Sequence, residues 1–181
     1  MIPRTYSSEG IILSRKNYSE ADRILTIFSK NYGKLQMLAK GVRKVKSRKR
    51  GAIEVFSEIK FSAARTKGLD LITEVETLDN HPVIRKNLKK VSLAYFFVEV
   101  TQRLINAEEK NLDAYYLLSR YLEELENEIK LRELKDRFLH GLFVTLGYWP
   151  AGKELTSPDS LLAEVVERAI NSQKVGKKLF E

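Results

Sequence analysis

The hydrophobic period of this chain changes once, at His81-Pro82, and that change limits the fold more than any other feature. Upstream of it, apolar residues fall in short stretches bounded by turn signals. Ser8 to Tyr18 carries Ile11, Ile12 and Leu13, and Asp22 to Lys30 carries Ile24, Leu25, Ile27 and Phe28. Asn31-Tyr32-Gly33 reads as a tight turn, with Gly33 able to take a positive φ, and Gly33 to Ala39 as the returning strand. Ala52 to Ala64 sets Ile53, Val55, Ser57, Ile59 and Phe61 on one face, with Glu54, Glu58 and Lys60 on the other. Arg65-Thr66-Lys67-Gly68 is a second turn, and Leu69 to Thr77 is the last strand. Five short strands separated by turns predict a small barrel or meander. Downstream of Pro82 the apolar residues recur at steps of three and four. Val83 to Ala107, Leu112 to Leu125 and Ile129 to Tyr148 each predict a helix, and Ser157-Pro158-Asp159 opens a fourth. Strands followed by helices, not alternating with them, predict a two-domain α+β chain divided into residues 1–80 and 81–181.

The charge divides at the same place. The net +8 comprises +7 in residues 1–80, with 16 Lys and Arg against 9 Asp and Glu, and +1 in the remainder. Most of the excess lies in Lys40-Gly41-Val42-Arg43-Lys44-Val45-Lys46-Ser47-Arg48-Lys49-Arg50, where seven of eleven residues are basic and none is acidic. Such density costs self-repulsion unless a polyanion or counterions relieve it. A solvated loop is the plain reading and a phosphate-contacting loop the functional one. A lipid surface fits less well, because the run has no apolar face to insert.

Catalytic chemistry finds little purchase. With no cysteine, the chain excludes disulfides, thiolate zinc ligands, iron–sulfur clusters and a cysteine nucleophile. Its two histidines, His81 and His140, read as a turn residue and a structural or surface residue. Gly147-Tyr148-Trp149-Pro150-Ala151-Gly152-Lys153 imitates a phosphate-binding loop. Glu154, however, stands where a hydroxyl should meet magnesium, and the segment follows a helix instead of a strand. It reads better as a helix end at Gly147 followed by an aromatic-proline turn. The paired acids Glu108-Glu109, Glu123-Glu124 and Glu126/Glu128 read as solvated helix faces. No signal-peptide core and no apolar run of about 18 residues is present, so neither secretion nor a membrane span is expected. The expectation is a chain with no enzymatic activity, no cofactor and no metal.

A small barrel with a basic inter-strand loop is a platform for single-stranded nucleic acid, pairing cations for the backbone with aromatic faces for bases. The first half offers Tyr18, Phe28, Tyr32, Phe56 and Phe61. Phe61 lies on the apolar alternation and belongs to the core. Tyr18 and Tyr32 sit near loops and are the stacking candidates.

Several segments resemble the N-terminal domain of the bacterial recombination mediator family RecO. They are Glu20-Ala21-Asp22-Arg23-Ile24-Leu25-Thr26-Ile27-Phe28-Ser29, then Tyr32-Gly33-Lys34, then Ala39-Lys40-Gly41-Val42-Arg43 with Ser47, and the strand Ala52-Ile53-Glu54-Val55-Phe56. Leu146-Gly147-Tyr148-Trp149-Pro150 is similar to the Leu-Gly-Tyr-x-Pro element of that family's helical domain. The resemblance implies an OB-fold barrel followed by an α-helical domain. It implies binding of single- and double-stranded DNA, annealing of complementary strands, and loading of RecA with RecR onto DNA coated by single-strand binding protein. The acidic C-terminal tail of that last protein is an implied partner of the helical domain, and the implied location is bacterial, cytoplasmic and nucleoid-associated.

With the resemblance, the expected DNA-contacting residues are Arg23, Lys34, Lys40, Arg43, Lys44, Lys46, Arg48, Lys49 and Arg50, and Tyr18 and Tyr32 are the stacking pair. The chain departs from the family in one place. Many members carry a four-cysteine zinc module after the Leu-Gly-Tyr-x-Pro element, whereas here Ala151 to Ser157 leads directly to the next predicted helix. An RNA-binding OB module and an adaptor for an acidic protein remain open on composition alone.

Overall fold

The first strand is long enough to serve two neighbours in succession, and the barrel is built around it. In the computed structural model, which describes residues 4–44, 51, 53–107 and 109–167, β1 spans Thr5–Asn17. Its first half pairs antiparallel with β4 (Glu58–Ala64), and its second half with β2 (Arg23–Ser29). β3 (Gly33–Ala39) returns along β2, and β5 (Asp70–Asp79) lies against β4. A parallel pairing of Met37 with Asp70 and Leu38 with Leu71 closes the barrel in the order β1-β2-β3-β5-β4. This five-stranded closed sheet is the OB-fold.

The run Ile11-Ile12-Leu13 shows how the rest of the chain packs. Successive side chains on a strand point to opposite faces. Ile12 therefore enters the barrel with Leu25, Ile27, Met37, Ile59 and Phe61, while Ile11 and Leu13 face outward. Outward they meet Phe28, Val55 and Phe56 and a set of helices: α1 (Pro82–Arg85), α2 (Leu88–Leu104), α3 (Leu112–Asn127) and α4 (Leu131–Thr145). Residues 158–167 are also helical. At the centre of the helices Phe97 and Phe138 lie 4.1 Å apart, with Tyr121 edge-on to both. Phe97, Phe138 and Phe143 are fully buried, each contributing about 1.5–3 kcal/mol relative to exposure.

Two elements differ from the sequence expectation. The strand expected from Ala52 begins at Glu58. Residues 53–57 do not pair as a strand because they serve two cores: Ile53 points into the barrel, Val55 and Phe56 into the helices. Phe56 takes φ 57, fixed by its N–H to the Ile12 carbonyl at 2.8 Å and by the Arg85 guanidinium 4.1 Å from its ring centre. The helix expected from Val83 to Ala107 is two helices. The side chain of Asn87, directly after the Lys86 cap of α1, accepts from the N–H groups of Lys89 and Lys90 and so starts a new helix at Leu88. Elsewhere β3 has the expected bounds, and Gly33 takes φ 70 at the predicted turn.

Candidate nucleic-acid interface

The basic segment leaves the barrel from an anchored root. After β3 the chain buries Val42 completely in the barrel core, and it returns to the same core at Ile53. Between them the root is tied to the β1–β2 loop, residues 18–22. Gly41 donates its N–H to Asp22 Oδ1 at 2.8 Å, Arg43 donates its N–H to the Ala21 carbonyl at 3.0 Å, and Arg43 Nη1 donates to the Ser19 carbonyl at 2.8 Å. Gly41 takes φ 68 to make this turn. The loop itself is closed by the Tyr18 N–H on the Asp22 carbonyl and the Asp22 N–H on Ser19 Oγ.

This root gathers five of the expected residues on one rim. Lys40, Arg43 and Lys44 are exposed. Arg23 opens β2 opposite Ala39, with its Nε donating to Asn17 Oδ1 at 3.2 Å. Tyr18, in the loop to which this root is tied, is 65% exposed. Among the described residues, Arg43 spends one side-chain donor, on the Ser19 carbonyl, and a guanidinium fork of five donors suits an oxyanion. Lys46, Arg48, Lys49 and Arg50 lie outside the described residues.

Lys34 and Tyr32 are placed elsewhere. They follow the far end of β2, a seven-residue strand about 20 Å long. The Lys34 ammonium is turned inward, donating to the carbonyls of Gln102, at 2.7 Å, and Ile105, and burial lowers its pKa below the ordinary lysine value. Tyr32 is half-buried with its ring 4.7 Å from that of Tyr6. Phe28, Phe56 and Phe61 are fully or almost fully buried and offer no face to a base.

Two cations escaped the sequence reading. Arg65 and Lys67 are exposed on the β4–β5 loop, residues 65–69. β5 runs parallel to β3 from the Met37–Asp70 pair, so this loop lies beside the first half of β3, whereas the root of the basic segment leaves the other end of that strand beyond Ala39. The loop is shaped by Asp70, whose Oδ1 accepts from the Thr66 N–H and whose Oδ2 accepts from the Tyr6 hydroxyl at 2.7 Å. Burial and that carboxylate raise the Tyr6 pKa. A groove of about 610 Å³ runs between the β2–β3 face, this loop and the end of α2, lined in part by Gln36, Arg65 and Arg103. In OB barrels this face, flanked by these two loops, is where oligonucleotides lie. The signal was present as two cations in the Arg65-Thr66-Lys67-Gly68 turn, hidden by the denser run before it.

Residues 1–81 match the family model described as Recombination protein O N terminal. The DNA repair protein RecO of Roseiflexus is 32% identical over 172 residues, covering 93% of this chain and 59% of its own length. Those of Gloeothece citriformis and Moorella thermoacetica are 31% and 32% identical, covering 77% and 76% of this chain and 50% and 53% of theirs. The chain belongs to the RecO family. It spans about half the length of the curated relatives it matches.

In this RecO family member the Leu146-Gly147-Tyr148-Trp149-Pro150 element is the stop of α4. Gly147, at φ 78, donates to the Val144 carbonyl, and Tyr148 donates to the Phe143 carbonyl at 2.8 Å, the paired bonds of a Schellman motif. The N–H groups of Tyr148 and Trp149 are thus both spent on Phe143, and the Trp149 indole and His140 both contact the Lys153 carbonyl. A segment whose donors are spent this way cannot cradle a phosphate, so its likeness to a nucleotide-binding loop is accidental. Among the described residues no helix is long and apolar enough to cross a membrane.

Proposed function

We propose that this chain is a non-enzymatic DNA-binding mediator of repair and recombination that holds complementary strands together for annealing. The observation that carries this reading is the anchoring of the basic segment on the β1–β2 loop. That anchoring supports a rim on which Arg23, Lys40, Arg43 and Lys44 take phosphates and the exposed ring of Tyr18, in the same loop, takes a base. Cations on a rigid rim neutralise phosphates, and a free aromatic face takes a base without selecting its identity. By screening the repulsion between two strands, such a rim lets them approach and pair without nucleotide hydrolysis. The RecO resemblance extends the proposal to RecR and the acidic tail of single-strand binding protein as partners, with RecA loading as the outcome.

The test is single-strand affinity as a function of salt, for wild type and for a variant with Arg43, Lys44, Arg48, Lys49 and Arg50 changed to Ala. Each lost phosphate contact should flatten the log–log slope by roughly 0.7. Annealing of strands coated with single-strand binding protein, without ATP, should slow in parallel. An unchanged slope and unchanged annealing would remove the function from this rim. Tighter binding of a matched RNA strand would assign the chain to RNA instead.

A further inference from the structure

His81 was expected to be an ordinary turn residue, and its surroundings are not those of one. It is 2% exposed, in the left-handed region at φ 50 and ψ 62, in the two-residue link between β5 and α1. Its N–H donates to Asp79 Oδ1 at 2.7 Å, which turns Asp79 Oδ2 to within 3.7 Å of the ring Nδ1. Glu126, in the last turn of α3, brings Oε1 to 3.1 Å from the same nitrogen. The ligand atoms of Asp79, His81 and Glu126 all lie within 4.8 Å of one another. Ligands at about 2.1 Å from a tetrahedral ion stand roughly 3.4 Å apart, so the spacing suits a shared cation after small adjustments.

The far side of the ring is arranged as well. His81 Nε2 is buried without a hydrogen-bond partner and faces Glu58 Oε1 at 3.7 Å. Glu58 is itself held by the Ser119 hydroxyl at 2.8 Å. A carboxylate behind the second nitrogen is the usual support of a metal-bound imidazole, because it fixes the tautomer and raises the basicity of the coordinating nitrogen. The site is also short of positive charge. Among the described residues none of the carboxylates of Glu58, Asp79 and Glu126 has a Lys or Arg ion-pair partner, although the chain carries +8. The neighbouring cations are directed elsewhere: Lys90 donates to the Glu126 carbonyl, and Arg85 to the carbonyls of Asn80 and Val55 and to Ser57.

We propose that Asp79, His81 and Glu126 form a site for a divalent cation of the zinc class, with Glu58 as the outer support of the histidine. Imidazole with carboxylates suits such an ion, and no thiolate is required. The ion would tie the end of the barrel's last strand, the link and α3 together. This site is separate from the DNA-binding rim and does not depend on it.

The test is calorimetric titration of the full chain with Zn²⁺. One ion per chain is expected, bound more weakly as the pH falls because protons compete for the imidazole. Asp79→Asn and Glu126→Gln should each weaken binding at least about tenfold, and Glu58→Gln by about 10–100-fold. Bound ion should raise the melting temperature of the wild type. Nitrogen NMR of the two histidines supplies a readout on unsubstituted protein: Zn²⁺ should move His81 Nδ1 and leave His140 unchanged. Unsaturable binding, or equal binding by wild type and variants, would mean an adventitious ion only and overturn the proposal. So would a His81 ring that remains doubly protonated at saturating Zn²⁺, since the three carboxylates would then be holding a proton.

Discussion

The Lys34 ammonium donates to the Gln102 carbonyl at 2.7 Å and so fastens the start of β3 to the end of α2. A cation at a helix C-terminus also meets the negative end of the helix dipole. Lys34→Met should therefore lower stability by about 2 kcal/mol in denaturant unfolding, while the salt slope of DNA binding stays as in wild type. Arg43→Ala should do the reverse, flattening the slope by roughly 0.7 and costing under about 1 kcal/mol of stability. A flattened slope for Lys34→Met would return that residue to the DNA-contacting set.

Tyr18 and Tyr32 should separate in the same way. Tyr18→Ala removes an exposed ring and should weaken single-strand binding by about 1–3 kcal/mol, roughly 5–150-fold, with Tyr18→Phe near wild type. Tyr32→Ala removes a ring packed on Tyr6 and should lower stability with little change in affinity. Fluorescence titration with a labelled oligonucleotide reads both variants.

Gly33 is the position least able to accept a side chain. At φ 70 a Cβ would be strained, and it would also strike the backbone of Glu109, whose nitrogen lies 2.8 Å from where the Cβ would stand. Gly33→Ala should destabilise the chain by on the order of 3 kcal/mol, measured by chemical denaturation. A loss below about 1 kcal/mol would mean that the contact between this turn and residue 109 relaxes freely.

Three of the eight tyrosines should resist alkali. Burial raises the pKa of Tyr115 and Tyr121, and burial with Asp70 raises that of Tyr6. A folded-state pKa above the unfolded value gives stability that is complete below about pH 10 and lost as the pH climbs towards the folded value. Absorbance at 295 nm should show these phenols ionising together with loss of circular dichroism. Ionisation of all eight before any unfolding would contradict their burial.

The order of elements was legible because period two and period 3.6 are distinct, and the turn at Gly33 and the helix stop at Gly147 were legible because glycine marks both. The segment 53–57 misled for a physical reason. Apolar residues spaced along a short segment look the same whether a strand faces one core or a loop feeds two, and only the tertiary arrangement shows that Ile53 and Phe56 enter different ones. The link at Lys86-Asn87 was hidden because the apolar spacing runs through it, and the break is made by one capping amide. At the site, the density of the basic run was visible. The fate of Lys34 was not, because its partner lies 68 residues downstream. His81 was opaque for the same reason, since Glu58 and Glu126 reach it from elements on either side in sequence.

The two faces of β1 carry a consequence for how the molecule can be taken apart. Ile11 and Leu13, with Phe28, Val55 and Phe56, belong to the helical core although they sit on the barrel and its adjoining loop. A barrel excised at the change of period would expose this adhesive patch to water and would associate or lose its shape. The boundary at residues 80–81 is therefore a seam in topology and not in cooperativity. The barrel and the helices should melt in one transition, and a lesion deep in α2 would be felt at β1, the strand that leads into the proposed binding rim.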